Sequence, residues 1–252
     1  MNGLILLFKF MTRLPIPGEP KFDSQALGKS MKWYPVVGMV IGAIIFGVYS
    51  LLLPIIPSSV IMAIILVTVD VVLTGGLHLD GLADTFDGIF SYRSKQKMLE
   101  IMKDSRLGTN GGLVLILYFV FKIALLVETS KLLGVNQGII MAIVPVISRL
   151  NSVVNCGVAP YARSTGMGKT FVDNTKAKDV LISTVLTVGY AFLMSKYFMP
   201  NMVAVLTIPV IMILGVYFAK LMTRKIGGIT GDTLGAVLEL SSVITLFLMY
   251  VM

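Results

Sequence analysis

Seven long apolar runs recur along the chain: Val36–Ile56, Val60–Leu73, Gly112–Val127, Gly138–Val153, Val180–Tyr197, Met202–Phe218 and Leu234–Val251. Each approaches the roughly 20 residues that a helix needs to cross a hydrocarbon core about 30 Å thick, and flanking residues complete the shorter ones. The pattern predicts an all-α, polytopic integral membrane protein with about seven transmembrane helices. No internal repeat, low-complexity tract or linker marks a second domain, so residues 1–252 read as one membrane-embedded unit. The first stretch, MNGLILLFKF, is apolar too, but it holds Lys9 and leads into RLPIPGEP. No small-residue cleavage site follows it, which speaks against a signal peptide and for a helix lying in the membrane interface.

Composition agrees with this reading. The chain is 56% hydrophobic and 13% charged, with a mean hydropathy of +0.89, whereas soluble domains carry about 25% charged residues. The net charge of +8 is unevenly placed. With Arg149 and Lys196, which stand near the ends of their runs, counted with the adjoining segments, 18 of the 21 Lys and Arg residues fall in alternate segments and 2 (Lys131 and Lys196) in the others; Lys122 lies inside a run. This bias predicts a cytoplasmic N-terminus and an outside C-terminus. The excess of basic residues suits anionic lipid head groups, and equally a polyanionic substrate. No nucleic-acid-binding module is recognisable. The single cysteine, Cys156, excludes an internal disulfide and reads as a small buried apolar residue. Glycine-rich faces could pack within one chain or between copies, which leaves a homo-oligomer open.

Chemistry concentrates where the second run ends. Residues 75–88 read GGLHLDGLADTFDG and hold Asp80, Asp84 and Asp87 together with the only histidine, His78. On a helix the three aspartates fall within about 60° of one another. Like charges on one face repel, so the arrangement calls for a positive partner. Hard divalent cations suit carboxylate oxygens, and Mg²⁺ commonly joins one or two carboxylates with substrate phosphate oxygens. Small glycines let a phosphate or another helix approach the backbone. His78 does not share the face of Asp80. A lone histidine is more often structural, although it could orient a phosphate or a carboxylate.

Further polar clusters fall on the same predicted side. KDSRLGTNGG carries Asp104, Arg106 and Asn110; the stretch Ser148–Lys169 carries Arg149, Asn155 and Arg163; GGITGDTLGAVLEL puts Asp232 and Glu239 seven residues apart on one helical face. Asp70 and Lys122 lie inside runs, where ionisable groups usually face a cavity or one another, and form a candidate ion pair. Together these residues suggest a cytoplasm-facing pocket for metal ions and a diphosphate, with Arg106, Arg149 and Arg163 as phosphate clamps and a carboxylate as proton acceptor.

HLDGLADTFDG resembles the signature of the membrane-bound cobalamin synthase family, the adenosylcobinamide-GDP ribazoletransferases. FMTRLPIP, WYPVVGMVIG, KDSRLGTNG, the SRL at Ser148–Leu150 and GGITGDTLGA are similar to segments of that family in the same order. The resemblance implies a Mg²⁺-dependent enzyme of the prokaryotic cytoplasmic membrane. It would join adenosylcobinamide-GDP to α-ribazole or its 5′-phosphate, release GMP and form adenosylcobalamin or its phosphate. On this reading Asp80, Asp84, Asp87 and Asp104 are candidate metal ligands, and Asp84 or Asp87 doubles as base, with His78 beside them. Arg106, Asn110, Arg149, Asn155, Arg163, Asp232 and Glu239 are candidate substrate contacts. Two rival classes fit less well. A CDP-alcohol phosphotransferase resembles the pattern only as far as Asp84-x-x-Asp87-Gly88 and lacks its second half. A transporter would call for an internal repeat and polar residues in the middle of several runs.

Overall fold

A computed structural model describes residues 2–199 and 201–252; Met1, at the head of the apolar N-terminal stretch, lies outside them. The chain forms α1 (Asn2–Met11), α2 (Ser24–Lys29), a 3-10 turn (Met31–Trp33), α3 (Tyr34–Leu52), α4 (Ser59–Thr74), α5 (Leu77–Ile89), α6 (Lys95–Ile101), α7 (Thr109–Leu133), α8 (Gln137–Val158), α9 (Met167–Asn174), α10 (Ala177–Phe198), α11 (Val203–Ile226) and α12 (Gly231–Val251). Among the described residues there is no strand, and one isolated bridge joins Tyr161 to Ile229. The protein is all-α and polytopic, as its apolar periodicity predicts.

All seven apolar runs are helical, as α3, α4, α7, α8, α10, α11 and α12. Six of these are long and apolar enough to cross a membrane unaided; α4, with 16 residues, passes only together with α5, which leaves it at 90°. The turn is local chemistry. Gly75 and Gly76 both adopt left-handed backbone angles (φ 64° and 72°), which glycine alone takes without a steric cost. Thus α4 leads into the bundle as the candidate second span, and α5, at right angles to it, runs across one end of the bundle.

The bundle is built around α8, in which every residue from Gln137 to Cys156 is buried. Helices α3, α10, α11 and α12 pack on it. Two glycines of α3 bring that helix against α8. A β-carbon at Gly38 would run into the Pro145 carbonyl, and one at Gly42 into Ala142, so the helices approach backbone to backbone. The apolar run predicted to end at Val153 extends to Val158. Arg149, already within that run, lies well inside a spanning helix, and the polar connection that was expected to start with it begins at Ala159.

A second feature of the interior is a charged cluster. Lys122 of α7 lies 2.9 Å from the Asp70 carboxylate of α4 and 3.8 Å from that of Glu239 in α12. Its ammonium also donates to the Tyr118 hydroxyl at 2.5 Å, and that hydroxyl donates to Glu239. The predicted Asp70–Lys122 pair is present, and Glu239 completes it. Three helices are thereby fastened by one buried cation, whose side chain is 2% exposed.

Removing the cation leaves two buried carboxylates facing each other, so Lys122→Met is expected to cost roughly 3 kcal/mol of stability. Adding Asp70→Asn to that variant is expected to restore part of the loss. Thermal unfolding of the two variants in detergent checks both.

Candidate active site

The site forms at the end of the bundle where α5 crosses α12. The crossing is close because both helices offer glycine. A β-carbon at Gly81 would stand 2.6 Å from the Asp232 carbonyl oxygen, and one at Gly235 3.0 Å from that of His78. The contact sets Asp232, in the first turn of α12, beside the acidic face of α5. A second fastening supplies the cation. Ala162 N–H donates to the Ile229 carbonyl and Ile229 N–H to the Pro160 carbonyl, each at 2.8 Å. This bridge ties the connection after α8 to the one before α12 and delivers Arg163 to Asp232. The guanidinium donates to the Asp232 carboxylate at 2.8 Å.

Four carboxylates share this region: Asp80, Asp84, Asp87 and Asp232. Asp84 is half-buried, and its carboxyl is pushed up to about 7, first by burial and then by the charges of Asp80, Asp232 and Asp87, with Arg163 opposing. Asp87 is engaged differently. Its two oxygens accept from Gly108 N–H and Gly111 N–H, each at 2.8 Å. It thus caps the start of α7 from a neighbouring helix, where N–H groups lack intrahelical partners and negative charge is favoured.

A cavity of about 250 Å³ opens beside the acids. Asp80, Arg163, Asp232 and His78 line its polar side. His78 is buried, which drives its imidazole down to about 3, with the nearby charges of Arg149 and Lys122 helping. Its Nε2 is 2.6 Å from the Tyr34 hydroxyl, and its Nδ1 has no partner. On the far side the cavity is walled by Phe10 of α1, Met31, and Met167 and Phe171 of α9.

The other residues singled out in the sequence stand elsewhere. Asp104 and Arg106 pair with each other at 2.6 Å in the connection before α7. The guanidinium and the backbone N–H of Arg106 hold the Asp104 carboxyl down at about 2. Asn110 lies half-buried in the first turn of α7. Arg149 is buried, donates to the Pro145 carbonyl at 2.9 Å and lies over the Tyr34 ring, behind the cavity wall. Asn155 donates to the Asn151 and Gly215 carbonyls and so joins α8 to α11. Glu239 belongs to the Lys122 cluster, two turns below Asp232. The sequence reading missed Tyr34, Tyr161 and the walls from α1 and α9. The residues GMGKTF show only a short amphipathic helix, and nothing in one sequence says that it closes over α12.

Asp84 keeps its proton more tightly in the folded chain than free in water. Its contribution therefore favours folding at low pH and is lost as pH rises from its ordinary value of 3.8 to about 7. Asp84→Asn removes this repulsion. In chelator it is expected to raise stability by roughly 1–2 kcal/mol at pH 8, allowing for the screening of a half-exposed group, and to leave it unchanged at pH 4. Unfolding curves at the two pH values test this.

Comparison with known proteins places the chain. The profile described as cobalamin-5-phosphate synthase matches residues 3–250. A relative from Fusobacterium nucleatum named adenosylcobinamide-GDP ribazoletransferase is 47% identical over 274 residues, covering 100% of this chain and 98% of the relative. Proteins of the same name from Clostridium acetobutylicum and Acetivibrio thermocellus are each 38% identical, covering 98% and 99% of this chain and 95% and 98% of their own lengths. No solved structure matches. With nearly its whole length matched, this chain belongs to the cobalamin-5-phosphate synthase family and is a transferase of cobalamin biosynthesis.

Proposed function

We propose that the chain joins adenosylcobinamide-GDP to α-ribazole or its 5′-phosphate and releases GMP, at an active site facing the cytoplasm. The observation that carries this reading is the gathering of Asp80, Asp84, Asp87 and Asp232 beside a cavity that also holds Arg163. The names of the relatives support the substrates, and the concentration of lysine and arginine in alternate segments supports the orientation.

Among the described residues no three His, Cys, Asp or Glu side chains stand close enough to enclose a metal ion by themselves. That fits Mg²⁺, which needs only one or two carboxylates when phosphate oxygens and water complete its shell. The donor set is all hard oxygen, and the repulsion at Asp84 marks a surplus of negative charge. One or two of Asp80, Asp84 and Asp232 would hold the ion, with phosphate oxygens and water completing its shell. Bound there, it would offset charge on the phosphoryl oxygens.

The chain's own groups account for the remaining steps. In the transfer a ribose hydroxyl of the acceptor forms a new bond to the cobinamide-linked phosphorus, and the bond from that phosphorus to GMP breaks. Asp84 is the carboxylate that takes the hydroxyl proton as general base. Asp87, held by two N–H groups, keeps the connection before α7 in place against α5. Arg163 presents its guanidinium to the phosphates from a position fixed by Asp232.

In liposomes with both substrates and Mg²⁺, GMP release is expected, and EDTA is expected to abolish it. Asp84→Asn should lower the rate by about 10²–10⁴-fold with the fold retained. Asp87→Ala should instead lower thermal stability by about 1 kcal/mol, as the loss of a helix cap does. GMP release that persists in EDTA, or none from folded wild-type protein, would overturn the proposal.

A further inference from the structure

The site has two kinds of surface, and they divide the two substrates. One is the open acidic face of α5. The other is the cavity between α1, α5, α9 and α12, whose volume is about 250 Å³. From this division we infer that the cavity is the binding site of the acceptor nucleoside, with its flat base against Phe10, Met31, Met167 and Phe171 and its sugar toward Asp80, Arg163 and Asp232. The inference rests on the transferase reading above and adds to it where each substrate sits.

Size makes the first selection. A corrin ring with its amide arms and adenosyl group is several times larger than this cavity, so the cobinamide part of the donor stays outside. Two aromatic heterocycles remain that are small enough: the guanine of the donor and the benzimidazole of the acceptor. Chemistry separates them. Guanine carries donors and acceptors around most of its edge. Tyr34, Ser152 and Tyr161 also line the cavity, but Phe10, Met31, Met167 and Phe171 offer guanine no polar group, so edge groups turned to that wall would be left unpaired. A dimethylated benzimidazole has an apolar edge and loses nothing there. Methionines adapt their shape to a flat ring and make favourable sulfur–aromatic contacts. The rings of Phe10 and Phe171 stand 5.8 Å apart and tilted, one from each of the two short helices that close the cavity.

The polar end points the same way. Two nitrogens in the lining side chains are buried without a partner, Arg163 Nε and His78 Nδ1. A ribose, with hydroxyls that both donate and accept, or a ribose phosphate meets such groups. This end of the cavity also carries Asp80 and Asp232, two members of the acid cluster to which Asp84 belongs. Base, sugar and acids thus follow one another in the order that the transfer requires.

The test separates this assignment from the transferase reading. α-Ribazole phosphate is titrated with protein in detergent, without donor or metal, and its binding is followed by equilibrium dialysis. Steady-state GMP release is measured in parallel for each substrate. Phe10→Ala and Met167→Ala remove partly exposed side chains that the fold can spare. Each is expected to weaken acceptor binding and raise the acceptor KM roughly tenfold, with kcat and the donor KM within about twofold of wild type. Met167→Gln, which adds a hydrogen-bonding group to the wall, is expected to narrow the preference for benzimidazole over adenine nucleotides as acceptors. A raised donor KM with an unchanged acceptor KM would put guanine in the cavity and overturn the inference. Acceptor binding that is equal in wild type and both variants would overturn it as well. If folded wild-type protein releases no GMP, the transferase reading fails, while the dialysis result still decides whether the cavity binds the nucleoside.

Discussion

Everything the site contains depends on how closely α5 lies on α12. Two helix backbones can approach this far only where both lack side chains, and Gly81 and Gly235 meet that requirement reciprocally. Any β-carbon at either position would push the helices apart and carry Asp232 away from Asp80 and Asp84. Burial first, and then repulsion from Asp80, Asp232 and Asp87, raise the Asp84 carboxyl, and the same approach brings Asp232 into that group. Four carboxylates are pressed together more tightly than their own electrostatics would allow. The work is done by apolar burial: Leu79, Leu82 and Ala236 form a small core with Val114 and Tyr118 directly beneath the acidic face.

That approach needs a firm base, which the interior charges provide. In water the Asp70–Lys122–Glu239 cluster would add little, but inside a membrane bundle unpaired charges are expensive and paired ones are directional. Lys122 joins α4, α7 and α12 at one point. Those helices respectively lead into α5, carry the loop capped by Asp87, and bear Asp232. The acidic site at the end of the bundle is therefore registered by an ionic contact in its interior. The buried α8 acts in parallel, giving α3, α10, α11 and α12 a common surface.

The division between what is legible in the sequence and what is not follows from the range of the interactions. Hydrophobic runs are set by the bilayer, a uniform solvent that acts on each residue separately, so all seven helices can be read one at a time. The clustering of Asp80, Asp84 and Asp87 is likewise local, a matter of helical phase. The partnership of Asp70 with Lys122 is legible because so few charges occur within spans that each has few partners. Arg149 and Asn155 show the limit. Their position next to a polar segment suggests a substrate pocket, yet α8 continues past both and turns them toward Pro145, Tyr34 and Gly215. Only neighbouring helices decide that, and a single sequence does not contain their arrangement. Glu239 fails for the same reason: sharing a helical face with Asp232 fixes its direction but not its depth.

The separation of roles within the acidic motif is the least local property of all. Asp84 and Asp87 are three residues apart on one helix and have the same side chain. What distinguishes them is the N-terminus of α7. Its unpaired N–H groups face Asp87 and satisfy both of its oxygens. Asp84 faces other carboxylates instead and holds its proton to near neutrality. Two identical groups are thereby placed in different surroundings, one capping a helix and the other among carboxylates. The difference comes from where a helix ends, a feature encoded by residues more than twenty positions downstream. A motif of repeated aspartates thus specifies the kind of chemistry available, and the packing of the elements around it distributes that chemistry among its members.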